Sequence, residues 1–322
     1  MRRRTLAVCA VVGLCAVGAS TGLASPPATY TVTNTHDSGA GSLRAALTYA
    51  DAHTQTRITF AKTARGTITL AGALPTLTSS VTIAGPGATA LTISGANAFQ
   101  VFVLGSASHV AISGLKVIHG FTPVVGGAIE NSGVLTLSQV IVSGSNAGAG
   151  GAIANQSGGM IAATNSTFTD NNALLGSGCA IENASAAIGV TITLTGSVVS
   201  GNTAREDSGG DLTNAGPGTM HVVRSQVLNN SGLYGGGVEN ASDGMIELTG
   251  STVSGNTGSN GGGVENDASG KLTVSESTFS DNSSIEDGGR SPITAPLRSR
   301  SPGRCSRTIA ASSVVRSTVM TF

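Results

Sequence analysis

The stretch REDSGGDL, Arg205 to Leu212, sets Glu206, Asp207 and Asp211 within one short polar turn. Hard carboxylate oxygens gathered in a glycine-containing turn suit calcium, which takes six to eight oxygen ligands. The same residues equally describe a solvated turn that binds nothing. The metal assignment is therefore Glu206, Asp207 and Asp211 with Ca2+, set against a plain polar loop. The glycine-rich calcium-binding nonapeptide Gly-Gly-x-Gly-x-Asp does not occur. No other cofactor is indicated.

Four further acids, Glu130, Glu182, Glu239 and Glu265, each precede an asparagine in a recurring motif. Like charges in register repel unless solvent or cations screen them, so a solubilising outer face is expected. Of the histidines, His36, His53, His109 and His119 are scattered before the regular part, and His221 is expected to point outward beside Glu247. General acid–base work needs such groups to converge on one reacting atom. No catalytic residue is assigned. Cys179 is expected to be a buried small residue, not a nucleophile.

The elements that would position these side chains come from an internal repeat. A Gly-Gly-small-apolar-x-Asn motif ends at Asn131, Asn155, Asn183, Asn214, Asn240 and Asn266, with spacings of 24, 28, 31, 26 and 26 residues. A second anchor, such as STFTDN or STVSGN, ends at Asn171, Asn202, Asn230, Asn256 and Asn282, and Ser145 takes the first place of that series. Alternating segments such as MIELTGSTV run between the anchors and read as strands. A unit of about 26 residues cannot bury its own apolar side, so copies must stack, each strand pairing with its equivalent about 4.8 Å along the axis.

That stacking predicts a single-domain, all-β, right-handed parallel β-helix. Leu135, Ile161, Ile192, Met220, Ile246 and Leu272 should form one inward row, and Leu137, Ala163, Leu194, Val222, Leu248 and Val274 the next. An aliphatic core suits a chain with 3% aromatic residues and no Trp. The six motif asparagines are expected to form a structural amide ladder at a corner where Asn tolerates left-handed geometry. Ahead of the repeats, SGAGSLRAALTYADAH spaces Leu43, Ala46, Leu47 and Ala50 as a helix capped by Ser42, which would cover the open first coil.

The ends differ from the body. Residues 1–24 have three arginines and an apolar run, the layout of a secretory signal peptide. Residues 25–66 read as an N-terminal cap of strand plus helix, 67–289 as coils, and 290–322 as an Arg-rich tail without acidic residues. The tail is read as disordered or out of frame, since the frame one base earlier is compatible with another repeat copy. A one-base insertion or deletion near codons 288–290 of the source DNA would follow. The zero formal charge thus averages unlike parts: between Ser25 and Gly289 there are 8 basic and 17 acidic residues, or 8 − 17 = −9. An acidic body excludes nucleic acid as the expected partner, because phosphate binding needs clustered Lys and Arg. No transmembrane span is expected in the mature chain.

The paired motifs GGAIEN and STFTDN resemble the repeats of polymorphic outer membrane proteins and related right-handed parallel β-helix proteins of the pectin lyase-like class, over roughly residues 29–289. The opening TVTNTHDSGAGSLRAAL is similar to the start of large secreted bacterial β-helix proteins. The resemblance implies architecture more than activity, because the fold hosts adhesins, lyases, hydrolases and spikes. Lyases of this architecture use carboxylate-bound calcium with an arginine base, which would set Arg205 beside the three acids. The Gly-His-Gly and Arg-x-Lys signatures of polygalacturonase-like enzymes do not occur. The expectation is a secreted or cell-surface protein that binds glycans or surface macromolecules in adhesion or display, without catalysis. The alternative is a polysaccharide lyase or hydrolase using the lateral groove. Outward Thr rows also raise ice binding, against which His221, Val223 and Glu247 interrupt the array.

Overall fold

The structure, a computed structural model, describes residues 27–53, 55–204, 209–259, 261–267, 270–284, 297–300 and 312–320. The chain winds into a right-handed parallel β-helix of about ten turns. Its longest stack runs from Thr29–Val32 through Thr56–Phe60, Ser80–Ala84, His109–Ser113 and Val134–Ser138, then Met160–Thr164, Thr191–Thr195, Thr219–Val223 and Met245–Thr249, to Lys271–Ser280. Every step between these strands is parallel. A second stack begins at Gly66–Thr69, and a third runs from Phe102–Leu104 through the motif strands, such as Ile129–Asn131, to Val264–Asp267.

The two predicted aliphatic rows are in register and buried, Leu135 against Ile161 and Ile192, Leu137 against Ala163 and Leu194, and so on to Leu272 and Val274. Facing them, Val142, Phe168, Val199, Val227, Val253 and Phe279 make a row from the second stack. Such a core is held by area removed from water, at about 25 cal/mol per Å2 of apolar surface. The helix Leu43–Asp51 begins at Ser42, whose hydroxyl accepts from the Ala45 N–H at 3.2 Å, and it buries Leu43, Ala46, Leu47 and Ala50 in the same core.

Two corners per coil share one device. Gln139, Asn165, Gly196, Arg224, Gly250 and Glu276 are left-handed, and each is followed by a buried residue, Val140 or one of Ser166, Ser197, Ser225, Ser251 and Ser277. At the next corner Gly144, Asp170, Gly201, Asn229, Gly255 and Asp281 are left-handed and precede Ser145, Asn171, Asn202, Asn230, Asn256 and Asn282. None of the ladder asparagines has positive φ. For Asn131 to Asn266 this corrects the expected left-handed geometry; in the second series the residue before each Asn takes the left-handed bend. Among the described residues of the tail, Leu297–Arg300 pairs in parallel with Val264–Asp267, and Ser312–Met320 pairs antiparallel with Lys271–Ser280. These two strands lie against the last coil, at the end opposite the helix.

Candidate functional site

The polar interior is structural. Asn131, Asn155, Asn183, Asn214, Asn240 and Asn266 form the expected ladder, each Nδ2 donating to the next Oδ1 at 2.7, 3.0, 2.7, 3.1 and 2.7 Å. The same amides also donate to carbonyls of their own coil, as Asn240 does to Gly244 at 3.0 Å. A second ladder links Asn171, Asn202, Asn230, Asn256 and Asn282 at 2.9–3.1 Å. A third series of buried serines accepts backbone N–H groups from the coil before, as Ser251 does from Ser225 at 3.1 Å. Paired amides of this kind stay buried without a desolvation penalty. They are unavailable to a ligand.

The glutamates depart from expectation. Their strands are in register, Glu130 with Ala154, Glu182, Thr213, Glu239 and Glu265. Glu182, Glu239 and Glu265 are nevertheless buried, so the row is not a solubilising face. Four residues upstream, Gly178, Gly235 and Gly261 lie against the Cβ of Glu182, Glu239 and Glu265, where a side chain on the glycine would collide; Gly126 approaches Glu130 in the same way, and Glu130 is half-buried. The missing Cβ lets the loop close over the acid. The Glu182 Oε1 accepts from Ser177 Oγ at 3.0 Å while Oε2 has no partner among the described residues, and burial pushes the carboxyl up to about 7. Glu239 Oε2 accepts from the Gly210 N–H at 3.2 Å and from Thr213 Oγ1 at 3.3 Å.

Of the candidate metal ligands, Glu206 and Asp207 lie outside the described residues. Asp211 is fully buried and neither oxygen has a conventional hydrogen-bond partner among the described residues. Burial pushes its carboxyl well above the usual range, eased only by the weak thiol donor of Cys179. Its side-chain neighbour there is the Cys179 thiol, a soft donor that calcium does not take. Cys179 packs with Ala173 and Ala204, and burial, followed by the Asp211 charge, raises its own pKa well above the ordinary value. It is an inert thiol in its setting. Among the described residues no group of three His, Cys, Asp or Glu side chains could hold a metal ion. His221 and Glu247 form the expected cross-strand pair, Nδ1 to Oε2 at 2.8 Å, with both side chains about one-third exposed.

What remains accessible is the outer face of the longest stack. Between alternate inward residues it presents Thr136, Ala162, Thr193, His221, Glu247 and Thr273 in one row and Ser138, Thr164, Thr195, Val223, Thr249 and Ser275 in the next, hydroxyls broken by four other side chains. Some hydroxyls join across coils, Thr249 with Ser275 at 3.1 Å and Thr31 with Thr59 at 3.2 Å. Toward the helix end this face sinks into a trough of about 370 Å3 around Arg57, Ser80, Thr82 and His109. A hollow of about 170 Å3 continues it past His109 to Val134 and Thr136. Comparison of the chain with protein-family models, with curated proteins and with solved structures found no match. Its geometry is therefore the basis for any functional reading. Sequence patterning did not mark the trough, because its residues come from coils that lack the Gly-Gly-Asn signature.

Proposed function

We propose that this chain is an extracytoplasmic binding or display protein of the pectin lyase-like β-helix class, akin to polymorphic outer membrane protein repeats. It engages glycans or other surface macromolecules without turnover. The observation that carries the reading is the outer face of the longest stack, rich in Ser and Thr though broken at Ala162, His221, Val223 and Glu247, on strands about 4.8 Å apart along the axis. Hydroxyls on such a rigid grid present donors and acceptors together at little ordering cost. The signal-like leader at residues 1–24 and the acidic body support an extracytoplasmic setting and a partner other than nucleic acid. Among the described residues no helix is long and apolar enough to cross a membrane.

The test is a binding screen of purified protein against arrayed glycans and intact cell surfaces, run beside a turnover assay on uronate and neutral polysaccharides with and without calcium. Saturable binding without product formation is the expected result. Calcium-dependent cleavage that disappears in Asp207→Ala would replace this reading with that of a polysaccharide lyase.

A further inference from the structure

We propose that the trough bounded by Arg57 and His109 is a subsite for an anionic oligosaccharide, one carrying a carboxylate or a sulfate ester. The proposal rests on the glycan-binding reading above and gives it a place and a charge. Arg57 stands on the second strand of the longest stack and is in register with Thr82 on the third; His109, on the fourth, is in register with Ser80. Two coil steps and two residues along the strand put Arg57 and His109 about 12 Å apart at the backbone. Ser80 and Thr82 lie between them, Gln55 at one edge, and Val81 forms a buried floor. In the next outward places Ala111 leaves the row low between Thr82 and Thr136, which lets the hollow run on along the axis.

The charges of this trough are uncommitted. Among the described residues Arg44 pairs with Asp37 and His221 with Glu247, whereas neither the Arg57 guanidinium nor the His109 ring has a side-chain hydrogen-bond or ion-pair partner. Among the described residues no carboxylate lines the trough or its extension. A body of formal charge −9 between Ser25 and Gly289 disfavours anions in general, so an unpaired guanidinium in a concave, hydroxyl-lined place is a local exception. A planar guanidinium takes a carboxylate or sulfate through paired N–H donors. The flanking amide and hydroxyls suit sugar hydroxyls, which donate and accept alike. A neutral sugar would leave the cation unused, and a bare anion would leave the hydroxyls unused.

Titration calorimetry of the purified protein with three probes tests this: an oligogalacturonate (carboxylate), a carrageenan oligosaccharide (sulfate without carboxylate) and maltohexaose (neutral). At least one acidic probe is expected to bind, more weakly as salt rises, and Arg57→Gln should weaken it by about tenfold or more. Which acidic probe binds identifies the anion. Arg57 is exposed, so thermal unfolding of the variant should match the parent, and Arg224→Gln, on an exposed turn, serves as the charge control. The site is overturned if neither acidic probe binds, if Arg57→Gln binds as well as the parent, or if Arg224→Gln loses as much. Surface or neutral-glycan binding unchanged in Arg57→Gln would leave the general reading standing while this site falls.

Discussion

Replacing Glu182 by glutamine should make the stability of this protein less sensitive to alkali. Burial raises the Glu182 carboxyl from its ordinary 4.5 to about 7, while Ser177 offsets only part of that. A buried acid with a raised folded-state pKa keeps its proton while the unfolded chain gives one up. Its stabilising contribution is therefore complete below about 4.5 and is lost as pH rises toward 7, after which the deficit is constant. At about 1.4 kcal/mol per pH unit, the interval from 4.5 to 7 corresponds to about 3 kcal/mol. Glutamine has the same shape and no charge to lose, so its own packing or hydrogen-bond offset is independent of pH. The assay is urea unfolding of parent and Glu182→Gln at pH 4.5, 6 and 8, comparing the difference between the two proteins. That difference should move by about 3 kcal/mol in favour of the variant between the lowest and highest pH. Other carboxyls titrate in both proteins and cancel, Asp211 included, since no charge interaction couples it to Glu182. A difference that shifts by less than about 1 kcal/mol would show that Glu182 is not a desolvated acid and that its loop does not close over it.

Three further outcomes follow from the same geometry. Asn256→Ala removes the donors to Asn282 Oδ1 and Val227 O and the acceptor used by Asn230, so it should cost at least about 3 kcal/mol in urea unfolding. Asn256→Ser should cost clearly less, because Ser145 fills the equivalent place and accepts the Gly120 N–H at 3.1 Å; equal losses would refute the ladder argument. Cys179 in the native protein should resist iodoacetamide at pH 8 and react once unfolded, as read by mass spectrometry of its peptide; rapid native labelling would contradict its burial and raised pKa. His221→Ala should change stability by less than about 1 kcal/mol at any pH from 5 to 8, since its pair with Glu247 is solvent-screened.

The repeat by itself determined the architecture. Spacing near 26 residues, alternating strands and one Asn per copy specify which residues stack, because in a solenoid each residue's neighbour is its equivalent one coil away. The two inward rows, the ladder of Asn131 to Asn266, the helix behind Ser42 and the His221–Glu247 pair were all legible on that ground. Tertiary structure decided what lies between equivalent positions. Glu182, Glu239 and Glu265 look like an exposed stripe until the preceding glycines are seen to fold over them, a consequence of backbone path that periodicity does not encode. The Gly-x-x-x-Glu spacing does not encode it either, since Gly126 stands so before Glu130, which is only half-buried. Asp211 occupies the place of Ala128, Ala152 and Ala180, whose side chains are buried, so the slot and not the acidic stretch around it governs its environment. The trough had no sequence signal at all: Arg57, Ser80 and His109 come from three irregular coils, and only the register of their strands brings them to one face.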